Sequence, residues 1–173
     1  MEAIETNVAG GASLRMMEAA DWPAVAEIYE EGIGTGLATF EIKAPRWEEF
    51  DASRLAKPRL VAEIGARVAG WAALSPVSKR ECYRGVAEFS IYLSRTFHGL
   101  GLGSLLLGAL IRESEREGLW TLQATIFPEN AASVRLAEKH GFHLVGRRHR
   151  IACLRGEWRD TVVYERRSST VGI

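Results

Sequence analysis

Glu88 is the residue whose position in the sequence most strongly suggests a chemical role. It lies within Val86–Leu93, an apolar stretch that predicts a strand. One face of this strand would carry Val86, Glu88, Ser90 and Tyr92. A carboxylate in mid-strand is unfavourable unless it faces water or a partner. If that face lines a cleft, Glu88 is placed to accept a proton as a general base; the alternative is an edge-facing or salt-bridged glutamate.

A glycine-rich turn follows this strand. Gly99, Gly101 and Gly103 precede a helix that begins near Ser104. A helix N-terminus presents free N–H groups and partial positive charge, and glycines let a phosphate approach that backbone closely. A dinucleotide turn would need glycine or alanine where Ser104 stands, and no Lys-Ser/Thr pair follows for a P-loop. The turn therefore predicts a main-chain phosphate site, with a connection that binds nothing as the alternative.

The elements around these residues follow from periodicity and from turn residues. Strands are predicted at 13–18, 60–64, 68–74, 86–93, 119–127, 142–151 and 158–164. Helices are predicted after Asp21, which is expected to cap the first one, at 46–55, from about 104 to Gly118, and from Asn130 to Gly141. This order predicts a mixed α/β layer fold in one domain, 13–167, with flexible tails at 1–12 and 168–173.

Composition narrows the classes of function. The chain has 173 residues, a formal net charge of zero and an apolar fraction of 47%, which fits one globular domain and favours neither a nucleic-acid nor a membrane partner. No apolar run is long enough to cross a bilayer. Two widely separated cysteines and four histidines lack metal-ligand spacing, so we expect no metal and a cytoplasmic location.

The turn and several other segments together resemble one family. His98-Gly-Leu-Gly-Leu-Gly103 resembles the Gln/Arg-x-x-Gly-x-Gly/Ala pyrophosphate loop of the GNAT N-acetyltransferases, with histidine at its first position. Further segments resemble the phosphinothricin N-acetyltransferase branch, in family order: Ala38–Glu41, Leu60–Glu63, Tyr83–Glu88, Asn130–Leu136, Gly141-Phe142 and Gly156–Asp160. Because the segments are collinear over nearly the whole domain, the resemblance is more specific than any single motif.

The resemblance implies a GNAT fold with a mostly antiparallel sheet, acetyl-CoA as co-substrate, and a homodimer. It implies direct transfer to the α-amino group of a small amino-acid-like acceptor of the phosphinothricin, methionine sulfoximine or arsinothricin type, with Glu88 as base. Phe40, Arg80 and Tyr83 match acceptor-pocket positions. The matched cofactor positions are Ile91, Tyr92, Leu93, His98, Gly99, Leu100, Gly101, Leu102, Gly103, Ser104, Asn130 and Ser133. Strand splaying near Ile91–Leu93 is expected to free a backbone donor for the thioester oxygen.

One position departs from the family pattern. The fourth helix reads Leu136-Ala137-Glu138 where the branch usually has Leu-His-Glu. Alanine cannot replace a catalytic histidine, and His140 lies one turn further on. The donor of a proton to the leaving thiolate is left open, with Tyr92 as one possibility. The alternative functions are acetylation of a polyamine or a protein N-terminus, or a non-catalytic acyl-CoA sensor.

Overall fold

The computed structural model of the protein describes residues 3–8 and 11–173. The strands are β1 (Ala3–Val8), β2 (Ala12–Met16), β3 (Arg59–Ile64), β4 (Arg67–Pro76), β5 (Val86–Leu93), β6 (Thr121–Ile126), β7 (His143–Leu154) and β8 (Glu157–Arg167). The helices are α1 (Trp22–Gly34), α2 (Trp47–Ser53), α3 (Leu102–Arg116) and α4 (Ala131–Lys139). Short 3-10 turns lie at Ala19–Asp21, Glu81–Tyr83 and Arg95–Phe97. Among these described residues, no helix is long and apolar enough to span a membrane.

The strands form one sheet in the order β1-β2-β3-β4-β5-β6-β8-β7. All neighbours are antiparallel except β5 and β6, which are parallel and joined through α3. A parallel pair needs a crossover connection, and here α3 supplies it. The predicted mixed α/β fold with a mostly antiparallel sheet is confirmed.

Helices cover both faces of the sheet. Leu102, Leu106 and Leu110 of α3 lie in one buried cluster with Ala87 of β5. Val25 and Ile28 of α1, Phe50 of α2 and Trp71 of β4 form a second cluster. Because successive side chains of a strand alternate between faces, Ala87 belongs to the α3 face and Glu88 to the α1 face. The alternation read from the sequence therefore places Glu88 on the side of α1 and α2.

The terminal segments, expected to be flexible tails, make long-range contacts where the structure describes them; residues 1–2 and 9–10 lie outside the described residues, and the domain bounds 13–167 stay a prediction. Residues 3–8 pair with β2 as an edge strand, although their sequence has no clear alternation. At the other end, Ser168 N–H donates to the Trp120 carbonyl at 2.8 Å, and Arg167 Nη1 donates to the Val171 carbonyl at 2.8 Å. The C-terminal residues thus fold back on the sheet through long-range hydrogen bonds that local sequence does not reveal.

Asp21 stands at the N-cap position of α1, as predicted, but its side chain does not cap the helix. Its carboxylate accepts two hydrogen bonds of 2.7 Å from Arg15, which also donates to Glu63 at 2.7 Å. A bidentate guanidinium pair is stronger than a single neutral cap, so the side chain ties β2 and β3 to the start of α1.

Candidate active site

Glu88 is held by two side chains from the neighbouring strand. Thr125 Oγ1 donates to Glu88 Oε2 at 2.7 Å, and Gln123 Nε2 donates to the same oxygen at 3.2 Å. Within residues 11–173, no hydrogen bond reaches Oε1. The carboxylate is therefore fixed through one oxygen, while the other is left for water or a ligand.

Strands β5 and β6 separate immediately after Glu88. Their parallel ladder covers only Val86–Glu88 opposite Thr121–Gln123, although both strands continue. On its other side β5 stays paired with β4 as far as Leu93. The edge of residues 89–93 that faces β6 thus carries main-chain groups outside the ladder, beside the carboxylate. The expected splay of the strands is present.

The glycine-rich turn ends at the N-terminus of α3. Gly99 and Gly101 have φ of 81° and 77°, a region that disfavours residues with a side chain. A Cβ added at either glycine would meet no atom within 4 Å, so the surface of the turn is open. The first helical bond of α3 runs from Leu105 N–H to the Gly101 carbonyl. The N–H groups of residues 102–104 have no intrahelical acceptor and suit an anion.

These features open into a single cleft of about 930 Å³. Its walls come from α1 and the loop after it, from β5, from the glycine turn, and from the start of α4. Glu88, the separated edge of β5 and the N-terminus of α3 therefore line one space. A diphosphate held at the turn and an acyl group near Glu88 fit the same cleft, which is the arrangement an acyl-CoA needs.

Comparison with known proteins agrees with this geometry. The acetyltransferase (GNAT) family matches residues 22–142. The L-methionine sulfoximine/L-methionine sulfone acetyltransferase of Pseudomonas paraeruginosa is 35% identical over 86% of this chain and 90% of its own. The phosphinothricin N-acetyltransferase of Streptomyces viridochromogenes is 33% identical over 88% of this chain and 86% of its own.

A solved structure shows the same architecture. The phosphinothricin acetyltransferase of Sinorhizobium meliloti in complex with AcCoA superposes with a TM-score of 0.83 at 31% identity, covering 93% of this chain and 90% of that one. The chain belongs to the GNAT acetyltransferase family. It is an acetyl-CoA-dependent N-acetyltransferase.

Most of the residues matched to the GNAT cofactor site line the cleft. They are Ile91, Tyr92, Leu93, His98, Gly99, Gly101, Leu102, Gly103, Asn130 and Ser133. Asn130 also caps α4: its Oδ1 accepts from Ser133 N–H at 3.1 Å, and its Nδ2 donates to the Leu37 carbonyl at 3.1 Å. The amide thus fixes the start of α4 against the loop after α1 while facing the cleft.

Two residues assigned to the cofactor lie outside the lining of the cleft. Leu100 is half exposed at the tip of the turn. Ser104 Oγ is 2.7 Å from His140 Nε2, a contact that joins α3 to α4. The backbone conformation of Gly99 and Gly101 leaves the surface of the turn open, and this shape does not depend on the side chains of Leu100 and Ser104. Their roles toward the cofactor stay predictions.

Of the three residues assigned to the acceptor site, one lines the cleft and two do not. Phe40 lines the cleft and packs against Phe127 with ring centroids 4.8 Å apart. Arg80 and Tyr83 do not line it in the single chain; they are in the loop between β4 and β5, with the Arg80 guanidinium 5.6 Å from the centre of the Tyr83 ring. Although Arg80 and Tyr83 are close to Glu88 in sequence, they do not line the cleft that contains its carboxylate. Their assignment to the acceptor stays a prediction.

Position 137 is not part of the lining of the cleft. Ala137 is fully buried in the cluster beneath α3 and α4 and is not among the cleft residues. His140 does not line the cleft either, because it ends α4 and bonds Ser104. In this GNAT chain the alanine therefore belongs to the packing of α4, and His140 does not take its place.

Tyr92 combines packing with access to the cleft. Its ring stacks on Trp71 at 4.7 Å and lies 4.6 Å from Tyr29. Burial raises the pKa of the Tyr92 hydroxyl well above its ordinary value. Burial raises the pKa of Tyr29 as well. Both phenols hold their protons at neutral pH.

Sequence reasoning missed the residues that surround Glu88. Thr121, Gln123 and Thr125 alternate with apolar residues, a pattern that indicates a polar face on β6. Only the parallel pairing of β5 and β6 shows that this face meets Glu88. Arg54 and Thr161 also line the cleft, and neither lies in a recognisable motif.

Proposed function

We propose that this protein acetylates the α-amino group of a small amino-acid-like acceptor, of the phosphinothricin, methionine sulfoximine or arsinothricin type, with Glu88 as general base. The observation that carries the proposal is Glu88 itself. It lies in the cleft where β5 leaves β6, and no hydrogen bond from residues 11–173 reaches its oxygen Oε1. The two named relatives act on acceptors of this type.

Acetyl-CoA supplies an activated acyl group as a thioester. The N–H groups at the start of α3 would hold its diphosphate, and the cleft side of Asn130 and Ser133 would face its arm. The main-chain groups of residues 89–93 on the edge away from β4 would donate to the oxygen that becomes negative during transfer.

Glu88 acts on the acceptor. An ammonium group must lose a proton before its nitrogen can form the new bond to the acyl carbon, and a carboxylate anchored through Oε2 can take that proton on Oε1, directly or through water. No protein nucleophile is acylated in this direct transfer, so a Ser-His-Asp arrangement is not required.

The test follows thiol release from acetyl-CoA over a panel of α-amino acids, their phosphinate and sulfoximine analogues, and polyamines, with product mass confirming N-acetylation. We expect turnover on at least one amino-acid-like acceptor. Glu88→Gln should lower kcat by roughly 10²–10⁴-fold, the usual contribution of a general base, and leave the KM for acetyl-CoA nearly unchanged. Glu117→Gln, at the exposed end of α3, is the matched control.

The outcomes separate the candidate functions. Turnover on polyamines or on N-terminal peptides alone would replace the amino-acid proposal. Binding of acetyl-CoA without turnover on any amine would indicate a sensor. Full activity of Glu88→Gln across the pH range would remove the carboxylate from the mechanism.

We further propose that the protein forms a homodimer through the β7–β8 end of the sheet. Leu144, Val145, Ile151 and Trp158 are each 51–58% exposed there. Large apolar side chains concentrated on one edge favour association. Light scattering should give twice the chain mass of 19.1 kDa. Trp158→Glu should shift the measured mass toward that of the monomer. A monomeric wild type at micromolar concentration would contradict the proposal.

A further inference from the structure

Arg54 lines the cleft on the side of Glu88 that faces β4. It follows α2 and donates through Nη1 to Ser75 Oγ. Ser75 of β4 is the direct cross-strand partner of Glu88 of β5. Side chains of paired residues point to the same face with Cβ atoms about 5 Å apart. The guanidinium is thus held on the β4 side of Glu88, whereas Thr125 and Gln123 hold the carboxylate from the β6 side.

The guanidinium of Arg54 lacks an anionic partner. Its Nε is buried and makes no hydrogen bond, and within residues 11–173 no carboxylate lies within 4.0 Å of its nitrogens. The buried Nε is closed to a ligand, so a partner in the cleft would have to reach the outer nitrogens of the guanidinium. An anion bound in the cleft beside Ser75 would pair with this cationic group in the geometry that guanidinium groups favour.

The surrounding structure positions Arg54 firmly. Arg59 is nearly buried and donates to the carbonyls of Arg54 at 3.2 Å and Leu55 at 2.6 Å. Leu55 N–H donates to the Leu74 carbonyl of β4 at 2.8 Å. The Arg54 guanidinium carbon also lies 5.4 Å from the centre of the Phe50 ring. The chain on both sides of Arg54 is therefore fixed, which lowers the entropy lost when a ligand binds.

We propose that Arg54 binds the carboxylate of the acceptor, so that an α-amino acid lies between Arg54 and Glu88 with its ammonium group toward Glu88. This inference rests on the proposed function and makes it more specific, because it assigns the carboxylate to an arginine inside the cleft of the single chain. Arg80, the sequence-based candidate, lies outside that cleft.

The experiment compares two acceptors on several variants. L-methionine sulfoximine and the amine that lacks only its carboxylate are assayed by thiol release with wild type, Arg54→Met, Arg54→Lys and Arg80→Gln. Met keeps the apolar stem that packs near Phe50, and Lys keeps the charge without the planar fork. Arg46→Gln is the matched control, since Arg46 is an exposed arginine at the start of the same helix.

We expect Arg54→Met to raise the KM for methionine sulfoximine roughly ten- to hundredfold, the range for hydrogen bonds to a charged group. The kcat/KM for the decarboxylated amine should be low in wild type and unchanged by the substitution. Arg54→Lys should recover part of the loss. The KM for acetyl-CoA and the melting temperature report whether each variant is folded.

Three results would overturn the inference. Arg54→Met and Arg54→Lys could lower activity on both acceptors by the same factor, which indicates a structural role. Arg80→Gln could give the carboxylate-specific loss while Arg54→Met does not. Wild type could acetylate no α-amino acid of the panel, in which case the proposed function fails too. If wild type acetylates methionine sulfoximine but the Arg54 variants do not raise its KM selectively, only this inference fails.

Discussion

Thr125 Oγ1 lies 2.7 Å from Glu88 Oε2, and this hydrogen bond joins the last paired residue of β5 to a residue of β6 two positions beyond the end of the ladder. The bond both anchors the carboxylate and marks the point where the sheet opens. A donor to a charged acceptor contributes more than a neutral pair, so this contact is well suited to orient the proposed base.

Thr125→Val tests that orientation. Valine keeps the shape but removes the donor, so Glu88 keeps only the Gln123 contact at 3.2 Å. We expect kcat to fall roughly tenfold or more, since a hydrogen bond to a charged group contributes about 1.5–3 kcal/mol. The KM for acetyl-CoA should hardly change. Steady-state thiol release measures both, and Thr125→Ser, which retains a hydroxyl, should stay near wild type; equal losses in the two variants would contradict the argument.

Gly101→Ala tests the left-handed conformation at the start of α3. Gly101 has φ of 77° with open space around it, so an alanine is disfavoured by the backbone and not by a clash. The strain is about 1–2 kcal/mol, which corresponds to a Tm lowered by roughly 2–8 °C. The KM for acetyl-CoA should rise because the turn must change shape.

Gly103→Ala in the same turn is the control. It lies inside α3, and its added Cβ would be 3.4 Å from Leu136 Cδ2, an ordinary contact. Alanine also favours a helix over glycine, so Tm should stay the same or rise. A fall in Tm at position 103 as large as at position 101 would show that crowding, not backbone conformation, governs this turn.

Gly32→Ala tests the packing between α1 and the cleft. Its Cβ would lie 2.5 Å from Tyr92 Cδ1, and that ring cannot retreat because it stacks on Trp71. Overpacking of this kind costs about 1–3 kcal/mol, or roughly 2–12 °C in Tm, and we expect a lower kcat as Tyr92 shifts. Thermal unfolding and activity measure the two effects.

Gly34→Ala on the same helix provides the comparison. The nearest atom to its Cβ would be the flexible end of Arg95, at 3.5 Å. We expect no loss of Tm. If both alanine variants behave alike, the close approach of α1 to Tyr92 is not what restricts position 32.

His140 gives the fold a predictable pH dependence. Burial lowers the pKa of His140 below its ordinary value of 6.5, and the charges of Lys139 and Arg166 lower it further. The unfolded chain therefore binds this proton more readily than the folded chain. The contribution of neutral His140 to the free energy of unfolding is fully present above about pH 6.5. This contribution is lost as the pH falls from there through the pKa of His140 in the folded chain.

His140→Gln should remove this part of the pH dependence. The difference in Tm between wild type and variant should shrink as the pH falls from 7 to 5, because only wild type loses the contribution of His140. Thermal unfolding at several pH values measures this difference in Tm. The effects of other titrating groups, which both proteins share, cancel in the difference. A difference that is constant over this range would show that His140 does not couple to folding.

The sequence by itself determined most of the elements from β2 to β8 and the local chemistry. Alternation in Val86–Leu93 placed Glu88 on the correct face, and the glycines at 99, 101 and 103 located the open turn before α3. Such features depend on residues close in sequence, where strand and helix periods and backbone sterics decide the outcome. The resemblance to GNAT enzymes, carried by collinear motifs, gave the fold and the acetyl-CoA chemistry.

Only the tertiary structure decided which distant residues meet at the site. Thr125 reaches Glu88 because β5 and β6 are parallel neighbours, and Arg54 reaches the cleft because Arg59 and β4 hold the chain after α2. Arg80, close to Glu88 in sequence, lies outside, and Ala137 lies in the core. The reason is physical: side chains meet according to strand order and packing between layers, and these depend on contacts that one segment's pattern does not contain.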